Sequence, residues 1–465
     1  MEQAFDLKNH LVELYHKNID TLSSRDNQEM IELREKSMEQ FVAQGFPNHS
    51  MEQWKNTDFR EIITQKYDIL LHPEPYNPVE SYFSCKVNNL DTYMFTLLNG
   101  WYVHKKAPLT EFPDGTIVGS LAKAREEYPE IVNAHLGKYS QDEHNPMSAL
   151  NAAFMQDGFF VYVPENVHLA KPMQVVSLVN TQQNLLIQSR NLIVTGQNSS
   201  LKIVHCDDSI EFGQTFINTV TEIVVGENAN VEYYKMENKD NKSVLINNVY
   251  VQQTDNSRFT SNTITFNAGV LRTNTIVKLD GENCEADIRG LYLVDGKQKV
   301  DNYVLVHHLK PHGRSNQLFK GIVDDEAKGS FNGHVIVHRD AQKTEAFQSN
   351  KNIALTDTAE VNTKPFLEIY ADDVKCSHGA TVGQLDPDAL FYLRARGICE
   401  RNARMLLLYA FAMDVVNHVK IEGLRERLDN MVSKRLSGEL TICDQCVLHC
   451  SDEKHLDFEI DLSKI

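Results

Sequence analysis

From about Gly158 to Asp386 the chain runs as short β-branched stretches. Phe160-Val161-Tyr162-Val163, Asn191-Leu192-Ile193-Val194, Thr221-Glu222-Ile223-Val224-Val225 and Asn302-Tyr303-Val304-Leu305-Val306 are examples, and no long amphipathic helix interrupts them. Polar turns recur near Gly226-Glu227-Asn228, Thr254-Asp255-Asn256, Asp280-Gly281-Glu282, Lys310-Pro311-His312 and Arg339-Asp340-Ala341. Their spacing of about 26 to 30 residues falls in the range of stacked repeats, in which each unit is buried by its neighbours. Residue identities differ from turn to turn, so the repeat is one of pattern. Short strands at regular spacing also suit a sandwich or barrel, but about 225 residues of them exceed what one sandwich needs. A β-solenoid is the preferred architecture. Such a stack is rigid and elongated, and its open strand edges must be capped or paired.

Helical segments flank this core. Leu7, Leu11, Leu14 and Tyr15 form one helical stripe, and a second amphipathic segment, about 27–44, stops at Gly45 and Pro47. Residues from about 50 to 150 mix short helical and extended pieces around Pro73, Pro75 and Pro78, and no element is assigned there. Beyond the core, Asp386-Pro387 reads as an acidic N-cap followed by proline at the first helical position, with Gly397 as the stop. Next comes Met405 to Met413, apolar on every side, which must be buried within the chain or against a partner. A third helix carries one apolar stripe of Leu424, Leu428, Met431, Val432 and Leu436. The expected organisation is therefore an N-terminal helical and mixed region (1–150), a β-helix core (151–385), a C-terminal helical region (386–438) and a cysteine-containing tail (439–465).

Charge narrows the function. In 465 residues, 46 Lys and Arg stand against 64 Asp and Glu, a formal charge of -18. That balance argues against nonspecific attraction to nucleic acid or to anionic membrane. The run from Met405 to Met413 is the longest apolar one and falls well short of the roughly 20 residues of a membrane helix. Met1-Glu2-Gln3-Ala4-Phe5-Asp6 has neither the basic nor the apolar part of a secretory signal, so a cytoplasmic protein is expected. Eight cysteines in so long a chain are no disulfide framework and should be mostly free thiols.

Two places concentrate metal-ligating chemistry. In Asp372-Asp373-Val374-Lys375-Cys376-Ser377-His378-Gly379-Ala380-Thr381, which reads as a strand, alternation puts Cys376 and His378 on one face. Thiolate and imidazole suit iron-sulfur clusters and zinc. An inert Cys beside a surface His is the plain alternative. In the tail, Cys443, Cys446 and Cys450 can converge on one ion, with His449 or His455 as a fourth ligand; incidental cysteines in a terminus are the alternative there. Asp372 and Asp373 point to opposite strand faces and read as turn-forming. His334 and His338 share a strand face, most simply a solvated one.

No catalytic engine is evident. Gly290-Leu291-Tyr292-Leu293-Val294-Asp295-Gly296-Lys297-Gln298 is the nearest approach to a phosphate loop, and it has the wrong glycine spacing and Gln where Ser or Thr is needed. Nucleophile elbow, zinc-protease and dinucleotide motifs are missing too. A stand-alone carbohydrate-active β-helix enzyme would need paired carboxylates about 5 to 9 Å apart. A simple metal-binding protein centred on the tail is a third reading.

One long block carries a resemblance: Asn362-Thr363-Lys364-Pro365-Phe366-Leu367-Glu368-Ile369-Tyr370-Ala371-Asp372-Asp373 into Cys376-Ser377-His378-Gly379-Ala380-Thr381, then Leu390-Phe391-Tyr392-Leu393-Arg394-Ala395-Arg396-Gly397-Ile398. It extends back through Ser330-Phe331-Asn332-Gly333 and Ala149-Leu150-Asn151 to Trp54-Lys55-Asn56-Thr57. In these motifs the chain resembles the SufD-type scaffold subunits of the bacterial SUF iron-sulfur cluster assembly system. The resemblance implies a mainly β protein, a right-handed parallel β-helix between helical regions. It implies a SufB-like scaffold paired at the β-helix end and a SufC-like ABC ATPase docked on the C-terminal helices. It also implies a transient iron-sulfur cluster at the scaffold interface, near the positions of Cys376 and His378, with none held tightly by the isolated chain. SufB-type scaffolds carry Glu-His-Glu-Ala-Thr at this block and a sulfur-accepting Cys upstream. Ser349-Asn350-Lys351-Asn352 offers no thiol, so this chain is not expected to be the primary persulfide acceptor. The Cys443–Cys450 tail departs from the family pattern and inherits no role. Whether two copies form a homodimer through the open edge is left open by the sequence.

Overall fold

The computed structural model describes residues 5–73, 91–103, 107–140, 145–210 and 213–437. The chain is mainly β, and it winds as a parallel solenoid of about eight turns between N- and C-terminal helices. Each turn lays one strand in each of two facing sheets. Sheet 1 stacks Phe159–Val163, Arg190–Thr195, Thr215–Val225, Val244–Gln253, Val270–Leu279, Lys299–His308, Lys328–Val337 and Glu360–Ile369. Sheet 2 stacks Met173–Val179, Ser200–Ser209, Asn230–Asn238, Arg258–Asn267, Glu285–Val294, Arg314–Val323, Glu345–Ala354 and Lys375–Gly383. Among the described residues no helix is long and apolar enough to cross a membrane.

The polar turns make this winding possible. At the corners leading from sheet 1 to sheet 2, Asn166, Asn198, Asn228, Asn256, Asn283, His312 and Lys343 hold φ between 54° and 62°. Asparagine tolerates this left-handed region better than other residues bearing a Cβ. Each of the seven donates its backbone N–H to a carbonyl in the corner of the following coil, Asn228 to Asp255 and Asn256 to Glu282 for example. The corner amides, which would otherwise be orphaned, thus form a ladder along the solenoid axis.

Alternation sends one face of every strand inward. Ile193, Ile223, Val251, Val277, Val306 and Val335 from sheet 1 meet Ile203, Val231, Phe259, Ile288 and Phe319 from sheet 2. Gly290, the glycine of the imperfect phosphate-loop stretch, belongs to this packing, because a Cβ there would lie 2.3 Å from the Phe319 ring. Polar residues occupy the middle of the lumen near its N-terminal end. Lys235 Nζ lies 2.6 Å from Asp207 Oδ2, both side chains buried. Ser177 Oγ and Tyr233 Oη each lie 2.8 Å from a ring nitrogen of His205. Burial, aided by the Lys235 charge, pushes the His205 imidazole down to about 3, so it stays neutral at physiological pH. Burial opposes the Asp207 carboxylate, but Lys235 holds it below its ordinary value. A cavity of about 10 Å³ beside Thr221, Lys235, Glu237 and Thr273 has room for about one water.

Both outer faces are covered along most of their length. The N-terminal region lies on sheet 1, where the helix Pro146–Phe154 is wholly buried. Asn151 donates to the carbonyls of Ser189 and Asn218, and Asn218 donates to the Met147 carbonyl. Trp54 packs against the Arg272 guanidinium 4.7 Å from its ring centroid, and Thr57 donates to Asp301 at 2.7 Å. Trp54-Lys55-Asn56-Thr57 and Ala149-Leu150-Asn151 are therefore docking segments. The C-terminal helices Glu400–Val416 and Glu422–Leu436 lie on sheet 2, sharing a core with Val204, Tyr234, Ile264, Leu291 and Ile322. Each side chain fully buried there contributes about 1.5–3 kcal/mol.

Helix signals hold as the sequence suggests. Gly45 ends Gln28–Gln44 at φ 69°, and Asp386 caps Pro387–Ala395 by accepting from the amides of Asp388 and Ala389. The all-round apolar stretch Met405 to Met413 is only partly covered by the chain itself: Leu408 and Ala412 are buried, while Met405, Leu406, Leu407 and Met413 stay half-buried. The corner geometry predicts that Asn256→Val costs about 1–2 kcal/mol of stability from left-handed strain, whereas Asn256→Gly loses less. Equal losses in chemical denaturation of the two variants would show that the corner conformation is not the constraint.

Candidate functional site

The two ends of the solenoid differ. At the N-terminal end antiparallel strands finish both sheets: Trp101–Val103 against Tyr93–Leu98 in one, Ile117–Ser120 against Phe159–Val163 in the other. At the C-terminal end, Glu360–Ile369 and Lys375–Gly383 are the last strands, and among the described residues neither has a strand partner on its outer side. The coil therefore presents two rows of unpaired backbone N–H and C=O groups, a template for another strand. Large apolar side chains crowd this end, with Phe366 and Ile369 exposed and Tyr370 60% exposed.

Cys376 and His378 lie on that last strand. Cys376 registers with Ala346 and His378 with Gln348 of the coil below, and Ala346 and Gln348 are buried on the inner face. Both candidates thus face the lumen at its open mouth. Cys376 is half-buried against the apolar core, whereas His378 is exposed. Burial pushes the Cys376 thiol above its ordinary value, partly offset by the backbone of Ala346. Among the described residues no third ligand joins them in a metal-holding group. Cys443, Cys446, Cys450, His449 and His455 lie outside the described residues.

The rim of this mouth is ionic. Glu345 accepts from Arg314 at 2.8 Å and from Lys375 at 3.2 Å, and these cations hold its carboxyl below the usual range. Asp373 pairs with Lys343, which agrees with a structural role at the turn. His334 and His338 are not simply solvated, since His334 Nε2 meets Glu368 Oε1 at 3.0 Å and His338 Nε2 lies 3.2 Å from His307 Nδ1.

Two features were not singled out in the sequence. Beneath the mouth, Gln348 donates to Gln317 Oε1 at 3.2 Å, while Gln348 Oε1, Gln317 Nε2 and Thr363 Oγ1 are buried without partners. The repeat itself held the signal, because Gln348 stands one coil before His378. The second feature is the exposure of the helix Pro387–Ala395, whose existence the sequence did indicate: it has no buried residue and leaves Phe391 74% and Tyr392 57% exposed.

The raised Cys376 thiol gives a direct expectation. In the isolated chain, alkylation of Cys376 by iodoacetamide, followed by residue-resolved mass spectrometry, should reach half its limiting rate above the ordinary cysteine pKa of about 8.5. A midpoint near neutrality would mean that the thiolate is already favoured without metal or partner.

Comparison with known proteins agrees with the fold. Residues 178–411 match the family described as SUF system FeS cluster assembly, SufBD core domain, and residues 5–175 match the SufBD protein N-terminal region. The chain is 30% identical to an iron-sulfur cluster assembly SufBD family protein of Synechocystis over 84% of this chain and 87% of that protein. It is 28% identical to the iron-sulfur cluster assembly protein SufD of Escherichia coli over 86% of this chain and 92% of that one. Against SufD of Bacillus subtilis it is again 28% identical, over 69% and 74%. With both family regions matched in order and the solenoid between its helices in place, the chain belongs to the SufBD family of SUF-system iron-sulfur cluster assembly proteins.

Proposed function

We propose that this chain is a non-catalytic half of a scaffold on which iron-sulfur clusters are assembled. Its last coil, Glu360–Gly383, pairs with a second, SufB-like β-helix through the unpaired strand edges. Cys376 and His378 are presented at that junction as ligands or relays for iron and sulfide, which are cargo and not resident cofactors. A SufC-like ABC ATPase docks on the helices that follow Asp386. The observation that carries the reading is the coincidence of the solenoid's open edge with a lumen-facing thiol and imidazole.

The chemistry available fits that role. A thiol binds iron as thiolate, so Cys376 gives up its proton to solvent as the Fe–S bond forms. Because burial disfavours the bare thiolate, Cys376 is held as thiol until a cation arrives. Neutral imidazole supplies a nitrogen lone pair without a change of charge. Energy for opening or closing the junction has to come from elsewhere, since the chain has no phosphate loop. The exposed aromatic pair Phe391 and Tyr392 and the half-buried Met405, Leu406 and Leu407 offer apolar surface to an ATPase subunit.

Two experiments test this. In cells lacking the native copy, Cys376→Ala with His378→Ala should abolish cluster loading of the anaerobically purified complex, with the amount of chain unchanged; normal iron and sulfide would sink the site assignment. A chain carrying Phe391→Asp and Tyr392→Asp should bind the ATPase weaker by about 2 kcal/mol or more, about thirtyfold in affinity, and undiminished co-purification would place the docking site elsewhere.

A further inference from the structure

We propose that Gln348 is the positioning residue for His378, its buried amide oxygen accepting one ring N–H so that the other ring nitrogen faces the open mouth of the lumen. This inference deepens, and rests on, the reading of Cys376 and His378 as cluster-handling groups.

Three observations carry it. First, the strands Arg314–Val323, Glu345–Ala354 and Lys375–Gly383 are parallel and in register, which stacks Gln317, Gln348 and His378 in one column on the inner face. Neighbouring strands lie about 4.8 Å apart. A glutamine side chain spans that gap, as Gln348 does downward by donating to Gln317 Oε1 at 3.2 Å. Second, Gln348 is 4% exposed, and its Oε1 is buried without a partner. A primary amide presents two donors and an acceptor oxygen, and a native interior rarely leaves such an oxygen unused. Third, the coil positions flanking Gln348 offer no competing acceptor, since Cys376 registers with Ala346 and Ala380 with Asn350, whose amide oxygen already accepts from Asn352 at 2.6 Å.

The chemistry explains why an amide suits this place. A metal-ligating histidine nearly always donates its second ring N–H to a carbonyl or carboxylate, which fixes the tautomer and the ring orientation. His378 is exposed and sits on an edge strand, so packing alone does not orient it. Gln348 supplies the acceptor from the rigid coil below, anchored through Gln317.

The test compares variants in the assembled complex, purified anaerobically from cells lacking the native copy, with iron and sulfide per complex as the readout. Gln348→Leu roughly keeps the volume and removes the acceptor; it should lower loading about tenfold or more, with the complex yield unchanged. Gln348→Glu keeps an acceptor at the same reach and should load within about twofold of the parent, in line with the carboxylate partners such histidines use. A purely structural amide ladder predicts the reverse order, because a buried carboxylate is harder to accommodate there than a leucine. Normal loading by Gln348→Leu, or a Glu variant as deficient as Leu, overturns the proposal. Should the Leu variant fail to accumulate, Gln348→Met, of the same length and with only a weakly accepting thioether, gives the same two outcomes. A His378→Ala arm separates the levels: normal loading there removes the site reading itself, whereas a deficient His378→Ala beside a normal Gln348→Leu removes only the role of Gln348.

Discussion

Parallel, in-register pairing of each coil with the next is the interaction on which the rest of this molecule depends. It satisfies backbone groups along two sheets, stacks like side chains into columns and continues through the corners as a ladder of left-handed residues from Asn166 to Lys343. The same pairing creates an unavoidable problem, because a stack of strands must end. At the N-terminal end the chain solves it internally, with antiparallel strands returning along both sheets. At the C-terminal end, among the described residues, it stops with two strand edges that no further strand pairs, and with Phe366, Ile369 and Tyr370 exposed.

Position along the solenoid therefore decides what a side chain is able to do. Lys235, Asp207 and His205 have chemistry in abundance, yet they are sealed within the lumen, where burial keeps the imidazole neutral. Cys376 and His378 face the same lumen, and their coil is the last, so among the described residues no further coil covers them. The N-terminal helices and the helices after Asp386 close the outer faces of sheet 1 and sheet 2 and leave the mouth between them available. On the proposed reading, a scaffold built this way places its cluster-handling groups at the junction that a partner completes.

Much of this was legible in the sequence. The turns at Asn228, Asn256 and His312 fall at true corners, because a residue able to take positive φ is required there and polar side chains mark it. Asp386-Pro387 and Gly45 acted at the helix termini as their chemistry dictates. Alternation alone was enough to put Cys376 and His378 on one face. Other features depend on tertiary pairing, which no local pattern encodes. His334 and His338 read as solvated until Glu368 and His307 were brought beside them by neighbouring coils. Gln348 looks like one polar residue among several, and its place under His378 emerges only once the repeat is aligned coil by coil. Within the helix Glu400–Val416 the stretch Met405 to Met413 reads as apolar on every side, but one side meets sheet 2 and the other does not, a distinction set by where the sheet lies.

The central claim is that the open coil is completed by another scaffold and that cargo is handled at that junction. Anaerobic purification of the tagged full-length chain from its own cells, with native mass, subunit composition, iron and sulfide measured together, tests it most directly. The account predicts a complex containing a related β-helix scaffold and an ABC-type ATPase. Repeated recovery of the chain without either protein under gentle conditions would contradict it.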